Sequence, residues 1–289
     1  LLIAVILSVI ILVGFDSFFN PKKNELNGSN EKVINSPENN TVVDNNDDNV
    51  PSLNQVEEIF DKKKEERIKF ESERLSGTIN LYGATIDDLS LNDYFETIGR
   101  EKNIKILSSE NSKSPYFLRM GWASTDKEVK LPNKNSLWKA SKKSYSKNDK
   151  IELTWNNQKG LTFFRTISID DNFMITVLDN VKNESSKTVN LTNFSYLRRI
   201  NYKPSNKFFI LHEGPLGVFN ETLKEVSYDE IEENNEITET TKNGWIGYTD
   251  HYWQVSIFPE TNENFKARFK NLRNQPNSIQ IDFINENIK

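Results

Sequence analysis

Residues 1–15 form an apolar run broken only by Ser8 and Gly14. As a helix the run rises about 22 Å, short of the roughly 30 Å hydrocarbon core of a bilayer, and Phe18 and Phe19 extend it. It opens on Leu1 rather than methionine, and we read residues 1–19 as a transmembrane helix truncated at its N-terminus. A secretory signal peptide is the competing reading, but the exit Gly14-Phe15-Asp16-Ser17 has no small-x-small cleavage pattern. A buried helix of a globular fold fits worse, because the residues that follow offer nothing to cover a helix that is apolar on every side. Lys22 and Lys23 follow the run, yet the flank against which they must be weighed is absent, so orientation stays open.

Residues 20–54 are mostly Asn, Asp, Ser, Pro and Glu, with clusters such as Asp44-Asn45-Asn46-Asp47-Asp48-Asn49. Too little apolar surface is present to offset the entropy of ordering, so this stretch is expected to be a flexible polar linker. Residues 55–66 fit either a short helix with Val56, Ile59 and Phe60 on one face or a solvated charged lead-in.

From Arg67 onward the period becomes two. Arg67-Ile68-Lys69-Phe70-Glu71 and Thr78-Ile79-Asn80-Leu81 alternate polar and apolar, and Ile86, Leu89 and Leu91 continue the pattern across a bulge. The same alternation predicts strands over residues 150–155, 161–169, 173–178, 189–194, 253–258 and 265–269. Turn signals separate them, among them Asn157-Gln158-Lys159-Gly160 and Asp170-Asp171-Asn172. No helical period longer than two turns is found after Arg67. The expectation is an all-β domain over residues 67–289, a large antiparallel β-sandwich.

Composition narrows the chemistry. The net charge is −5, from 37 basic and 42 acidic residues, so no general basic field exists to bind nucleic acid. With no Cys and 2 His, disulfides, thiolate chemistry and zinc or iron–sulfur sites are nearly excluded, and neither cofactor nor metal is expected. His212 and His251 are the candidate acid–base groups, each with a carboxylate beside it, Glu213 or Asp250. Glu213 and His251 could meet across strands, but His212 is read as a turn residue at a Gly-Pro corner. Asp87-Asp88 and Asp170-Asp171 are read as turn or bulge markers rather than metal clamps. Trp122, Trp138, Trp155, Trp245 and Trp253 are expected in the core rather than on a carbohydrate platform, with Trp245 and Trp253 mostly buried. Asp250 is expected to bond backbone amides at a turn. No catalytic residue is assigned.

Certain segments are more specific: Leu75-Ser76-Gly77-Thr78-Ile79-Asn80-Leu81-Tyr82-Gly83-Ala84-Thr85-Ile86-Asp87-Asp88-Leu89, Ser114-Pro115-Tyr116 through Gly121-Trp122, Gly160-Leu161-Thr162-Phe163, His212-Glu213-Gly214-Pro215-Leu216-Gly217-Val218-Phe219, and Gly244-Trp245-Ile246-Gly247-Tyr248-Thr249-Asp250-His251-Tyr252-Trp253. Together with the order apolar helix, polar linker, strands, they resemble the YidC family of bacterial membrane insertases, over its first transmembrane helix and large periplasmic domain.

The resemblance implies a β-supersandwich related to mutarotase and sugar-binding domains, held in the periplasm by an inner-membrane helix. It implies a non-enzymatic role in inserting and folding membrane proteins, alone or with the Sec translocon, whose partners are nascent membrane proteins and translocon components. The family's groove arginine belongs to later membrane helices expected beyond Lys289, so no residue here carries that role. A membrane-tethered carbohydrate-binding or mutarotase-like domain is the alternative, and His212, Glu213 and His251 are expected not to have kept that chemistry.

Overall fold

The computed structural model describes residues 65–202, 212–260, 263–273 and 277–286. The expected transmembrane helix 1–19, the linker 20–54 and nearly all of the lead-in 55–66 lie outside these residues. Among the described residues no helix is long and apolar enough to cross a membrane.

The strands in chain order are β1 (Arg67–Glu71), β2 (Leu75–Asn80), β3 (Thr85–Phe95), β4 (Asn103–Leu107), β5 (Tyr116–Ala123), β6 (Lys139–Ala140), β7 (Ser144–Tyr145), β8 (Ile151–Asn156) and β9 (Leu161–Ile169). They continue as β10 (Ile175–Asn183), β11 (Thr192–Arg199), β12 (Gly214–Phe219), β13 (Thr222–Glu225), β14 (Glu236–Thr241), β15 (Gly244–Thr249), β16 (Gln254–Ile257), β17 (Phe265–Asn271) and β18 (Ile279–Asn285). A single helix among the described residues, α1 (Tyr228–Asn234), precedes β14. It begins at a Ser-x-x-Glu box, where the Ser227 hydroxyl accepts the Glu230 amide at 3.1 Å.

A ten-stranded sheet runs β14-β17-β18-β11-β5-β3-β2-β1-β7, with β4 also on β3. Two four-stranded sheets, β10-β9-β8-β6 and β13-β12-β15-β16, complete the fold. Every neighbouring pair is antiparallel except β1 with the two-residue β7. Aromatic contacts join the layers. Trp122 of β5 meets Phe163 of β9 at 4.9 Å between ring centroids, while Tyr116 of β5 meets Tyr248 of β15 and Phe269 of β17 meets Phe219 of β12. The predicted antiparallel sandwich is therefore the observed one, with the core between the large sheet and its two smaller partners.

Alternation explains the half-buried strands. In β9, Leu161, Phe163, Arg165 and Ile167 are buried while the residues between them are more open, as a pleat dictates. At its centre, across β5, β11, β18 and β17, the large sheet's other face is covered by its own side chains, many of them polar. Register aligns Arg119 of β5, Tyr196 of β11, Asp282 of β18 and Arg268 of β17 in one cross-strand row. Arg119 Nη1 donates to the Tyr196 hydroxyl at 2.9 Å, and Arg268 Nε donates to Asp282 at 2.7 Å. Arg198 and Gln280 bond in the next row at 2.6 Å. Long arginine stems cover the sheet while their charged ends find partners on it.

Several boundaries move from the sequence expectation. β10 begins at Ile175 rather than 173, because Asp170 Oδ1 accepts the Asn172 and Met174 amides and Phe173 turns with φ 70°. β11 runs five residues beyond its predicted end at 194, through Ser195, Tyr196 and Leu197, all buried. β5 and β12, buried on both faces, show no alternation to detect. The expected bulge is opposite Thr78 and Ile79: Thr78 pairs with Asp88 and Ile79 with Ile86, leaving Asp87 as the extra residue. The bulge turns adjacent carboxylates into one network. Asp87 takes Arg67 at 2.7 and 2.8 Å, and Asp88 takes Thr78 and Lys105, each at 2.8 Å.

Candidate functional site

The candidate acid–base residues gather at one end of β11, β12 and β15. Glu213 precedes β12 and His251 follows β15, and the pairing of Gly214 with Thr249 brings the two loops together. His251 Nδ1 lies 3.5 Å from Glu213 Oε1, so the cross-strand meeting allowed by the sequence is realised. The Tyr202 hydroxyl donates to the other Glu213 oxygen at 3.3 Å. His212 does not join them. Its Nε2 is 2.8 Å from the Pro215 carbonyl oxygen, which makes it a corner residue as expected.

Sequence reasoning missed the centre of this cluster, Arg199. Its Nη1 and Nη2 donate to Asp250 Oδ1 and Oδ2 at 2.7 and 3.0 Å, so Asp250 engages a guanidinium and not the backbone amides expected of it. The Arg199 guanidinium carbon also stands 4.0 Å from the Tyr202 ring centre and 4.9 Å from that of Tyr116. Tyr202 stacks on Tyr228 at 4.5 Å. Burial pushes the Tyr202 phenol up to about 12, and it also raises Tyr116, Tyr228 and Tyr248. These phenols remain protonated at neutral pH, so the ring cluster supplies packing and hydrogen-bond donors rather than a base.

Geometry assigns unequal weights to the two pairs. Asp250→Ala is expected to destabilise by about 1.5–3 kcal/mol, since a half-buried guanidinium loses both charge-assisted bonds. His251→Ala is expected to cost no more than about 1 kcal/mol, as an exposed side chain at the limit of contact. Urea unfolding followed by tryptophan fluorescence measures both, and equal losses would contradict the ranking.

A second polar centre lies inside the sandwich. Arg165 sits at an inward position of β9 with its side chain wholly buried, and donates through Nε and Nη2 to both oxygens of Asp179 on β10, each at 2.8 Å. Its guanidinium is 5.3 Å from the Trp122 ring centre and 5.4 Å from that of Trp138. Among the described residues Arg165 Nη1 and Trp138 Nε1 have no hydrogen-bond partner. The signal for Arg165 was available: Leu161, Phe163, Arg165 and Ile167 share one parity, so a charge there had to face the core.

The tryptophans form no common surface. Trp122 and Trp138 are buried and stacked at 6.1 Å, and Trp155 contacts Phe163 nearby. Trp245 and Trp253 are only half-buried, contrary to expectation. Trp253 packs edge-on to Tyr94 at 4.9 Å, whereas Trp245 lies beside the exposed Phe258. Gly244 opens this segment because it runs at φ 154°, and a Cβ there would fall 1.9 Å from the Val218 carbonyl oxygen. Asp170 shapes its turn as predicted, and Asp171 pairs with Lys147 at 3.0 Å. Among the described residues no group of three or more His, Asp or Glu side chains is placed to hold a metal ion.

Residues 67–289 match the family model described as YidC periplasmic domain. The chain is 31% identical over 269 residues to the membrane protein insertase YidC of Pelagibacter ubique (strain HTCC1062), a match covering 92% of this chain and 47% of the relative. It is 35% identical over 222 residues to the protein of that name from Rickettsia canadensis (strain McKiel), covering 76% of this chain and 40% of the relative. The corresponding Rickettsia conorii protein is 34% identical over 222 residues, with the same coverage. The chain thus spans less than half the length of these curated relatives.

Proposed function

The chain belongs to the YidC family, whose periplasmic domain it contains, and from that premise we propose that it is part of an insertase and chaperone for integral membrane proteins. Residues 1–19 anchor it in the bacterial inner membrane, 20–54 are a flexible tether, 55–66 lead in, and 67–289 stand in the periplasm. Nascent membrane proteins are its substrates, and components of the Sec translocon are its partners. No covalent step, cofactor or metal is invoked: insertion by this family's proteins rests on lowering the cost of moving polar flanks through hydrocarbon. The observation that carries the reading is the match of 92% of the chain to a relative named as an insertase, reaching beyond the periplasmic domain itself.

Expression of the whole gene containing this chain, in cells depleted of their own insertase, should restore insertion of a reporter membrane protein. Failure despite normal expression and membrane localisation would overturn the proposal. Photocrosslinkers placed in the sandwich should capture Sec components, and a crosslinking pattern unchanged by removing the translocon would remove that partner. Hexose titration of the 289-residue chain in detergent micelles should give no saturable signal. Binding that is lost in His251→Ala or Glu213→Gln would instead establish the carbohydrate reading.

A further inference from the structure

β10 is the long unblunted edge of this fold. It closes the sheet β10-β9-β8-β6 on one side, and its register with β9 is continuous from Ile175–Ile169 to Asn183–Leu161. Bonds at the two ends reveal which way each backbone group points. The Asp170 amide donates to the Met174 carbonyl, and the Glu184 amide donates to the Gly160 carbonyl. Hydrogen-bonded and non-bonded pairs alternate in an antiparallel ladder, so Thr176, Leu178, Asn180 and Lys182 bond to β9. Ile175, Val177, Asp179 and Val181 must then direct their N–H and C=O groups away from the sheet. Among the described residues no backbone bond is made to those groups.

The side chains leave that edge open to an apolar neighbour. Ile175, Val177 and Val181 are half-buried on the core side, packed against the core cluster. On the outer side Leu178 is 59% exposed, with Phe164 of β9, the partner of Asn180, diagonally across from it at 38%, and Met174, just before the strand, is 49% exposed. The one charge within Ile175–Val181, Asp179, is matched by Arg165, and Lys182 is paired with Glu184 at 2.7 Å. No proline, glycine or bulge interrupts the strand. The other edges among the described residues are guarded or short: β14 carries Glu236 and Glu239, β4 has 5 residues and carries Lys105, β13 and β16 have 4 residues each, and β6 and β7 have 2. Exposed strand edges are ordinarily protected by such devices, and this one is not.

We propose that β10 is a docking edge that binds an extended, uncharged, apolar segment of another polypeptide as a fifth strand. The unpaired groups of Ile175, Val177, Asp179 and Val181 would supply the ladder, which is read from backbone and not from sequence. Ile175, Val177 and Val181 on the core side, with Leu178 between Thr176 and Asn180 on the outer side, would favour valine- and threonine-like alternation in the occupant. A second copy of the chain is disfavoured as occupant. Its net charge of −5 repels its like, and antiparallel self-pairing centred on Leu178 sets each Asp179 opposite the other copy's Val177. The inference stands on the edge geometry and does not require the insertase reading.

The test uses the whole chain in nanodiscs and a labelled peptide of alternating threonine and valine about seven residues long, near the usual strand length. Saturable binding is expected, accompanied by new hydrogen-exchange protection of the Val177, Asp179 and Val181 amides, while Leu178 and Asn180, already bonded to β9, change little. Peptide N-methylated at alternate residues should not bind. Leu178→Lys, a change at an exposed side chain, should weaken binding by about tenfold or more by the logic of charged edge strands. The proposal is overturned by equal binding of the N-methylated peptide, by undiminished binding to L178K, by no saturation up to millimolar peptide, or by protection arising from dimerisation of the chain without peptide.

Discussion

Asp179→Ala is expected to destabilise the sandwich by about 3–5 kcal/mol, the range for removing one partner of a buried ion pair. The reason is the partner left behind. Arg165 is wholly buried, two of its nitrogens bond Asp179, and the third already lacks an acceptor among the described residues. The ring centres of Trp122 and Trp138 lie 5.3 and 5.4 Å from the guanidinium and offer some cation–π attraction, which at most about 2 kcal/mol does not replace a carboxylate. The intact pair is a different matter: bringing both charges out of water nearly cancels their attraction, so the double replacement Arg165→Met with Asp179→Leu should recover most of the loss. Denaturant unfolding of the four combinations gives the coupling directly. Asp179→Ala within about 1 kcal/mol of wild type would show that water reaches the guanidinium.

Trp138→Ala is expected to cost about 3–5 kcal/mol as well, for a different reason. Trp138 is 2% exposed, lies in the segment between β5 and β6, and stacks on Trp122 with an interplanar angle of 22°. Removing it opens a cavity between sheets that their regular hydrogen bonding prevents from collapsing. Its indole N–H contributes no bond, so Trp138→Phe keeps much of the packing, removes an unsatisfied donor and should cost far less. Trp245→Ala should also cost less than Trp138→Ala, because Trp245 is half-buried beside the exposed Phe258. Calorimetry on the three variants would rank them, and parity between Trp138→Ala and Trp245→Ala would contradict the burial argument.

The difference between these two tryptophans shows how far pattern reading reaches. Trp245 sits in the aromatic-rich run Trp245–Trp253, whereas Trp138 stands between Ser136-Leu137 and Lys139-Ala140 with no aromatic neighbour in sequence. Trp245 lies in β15 with Ile246 and Tyr248 on the core-facing parity, so its own ring must take the outer face. Density of aromatics suggested burial, and parity decided otherwise. Similarly, local preference puts the Asp250 carboxylate on backbone amides at a turn, but it is claimed by Arg199, 51 residues away in sequence. Local preference loses here to a bidentate charge pair.

The sequence alone determined the all-β class, the turns at Asp170 and Gly160, the bulge near Asp87 and the core parity of β1 and β9, because each depends on near neighbours and the two-residue pleat. It also carried the family resemblance, in segments whose aromatics and glycines are closely spaced. Tertiary structure alone decided which edges stay open, that Glu213 meets His251 while His212 does not, and that Arg165 and Arg199 each find a carboxylate. Those outcomes depend on strand order and register, and pairing free energies of that kind arise between residues that no local pattern connects.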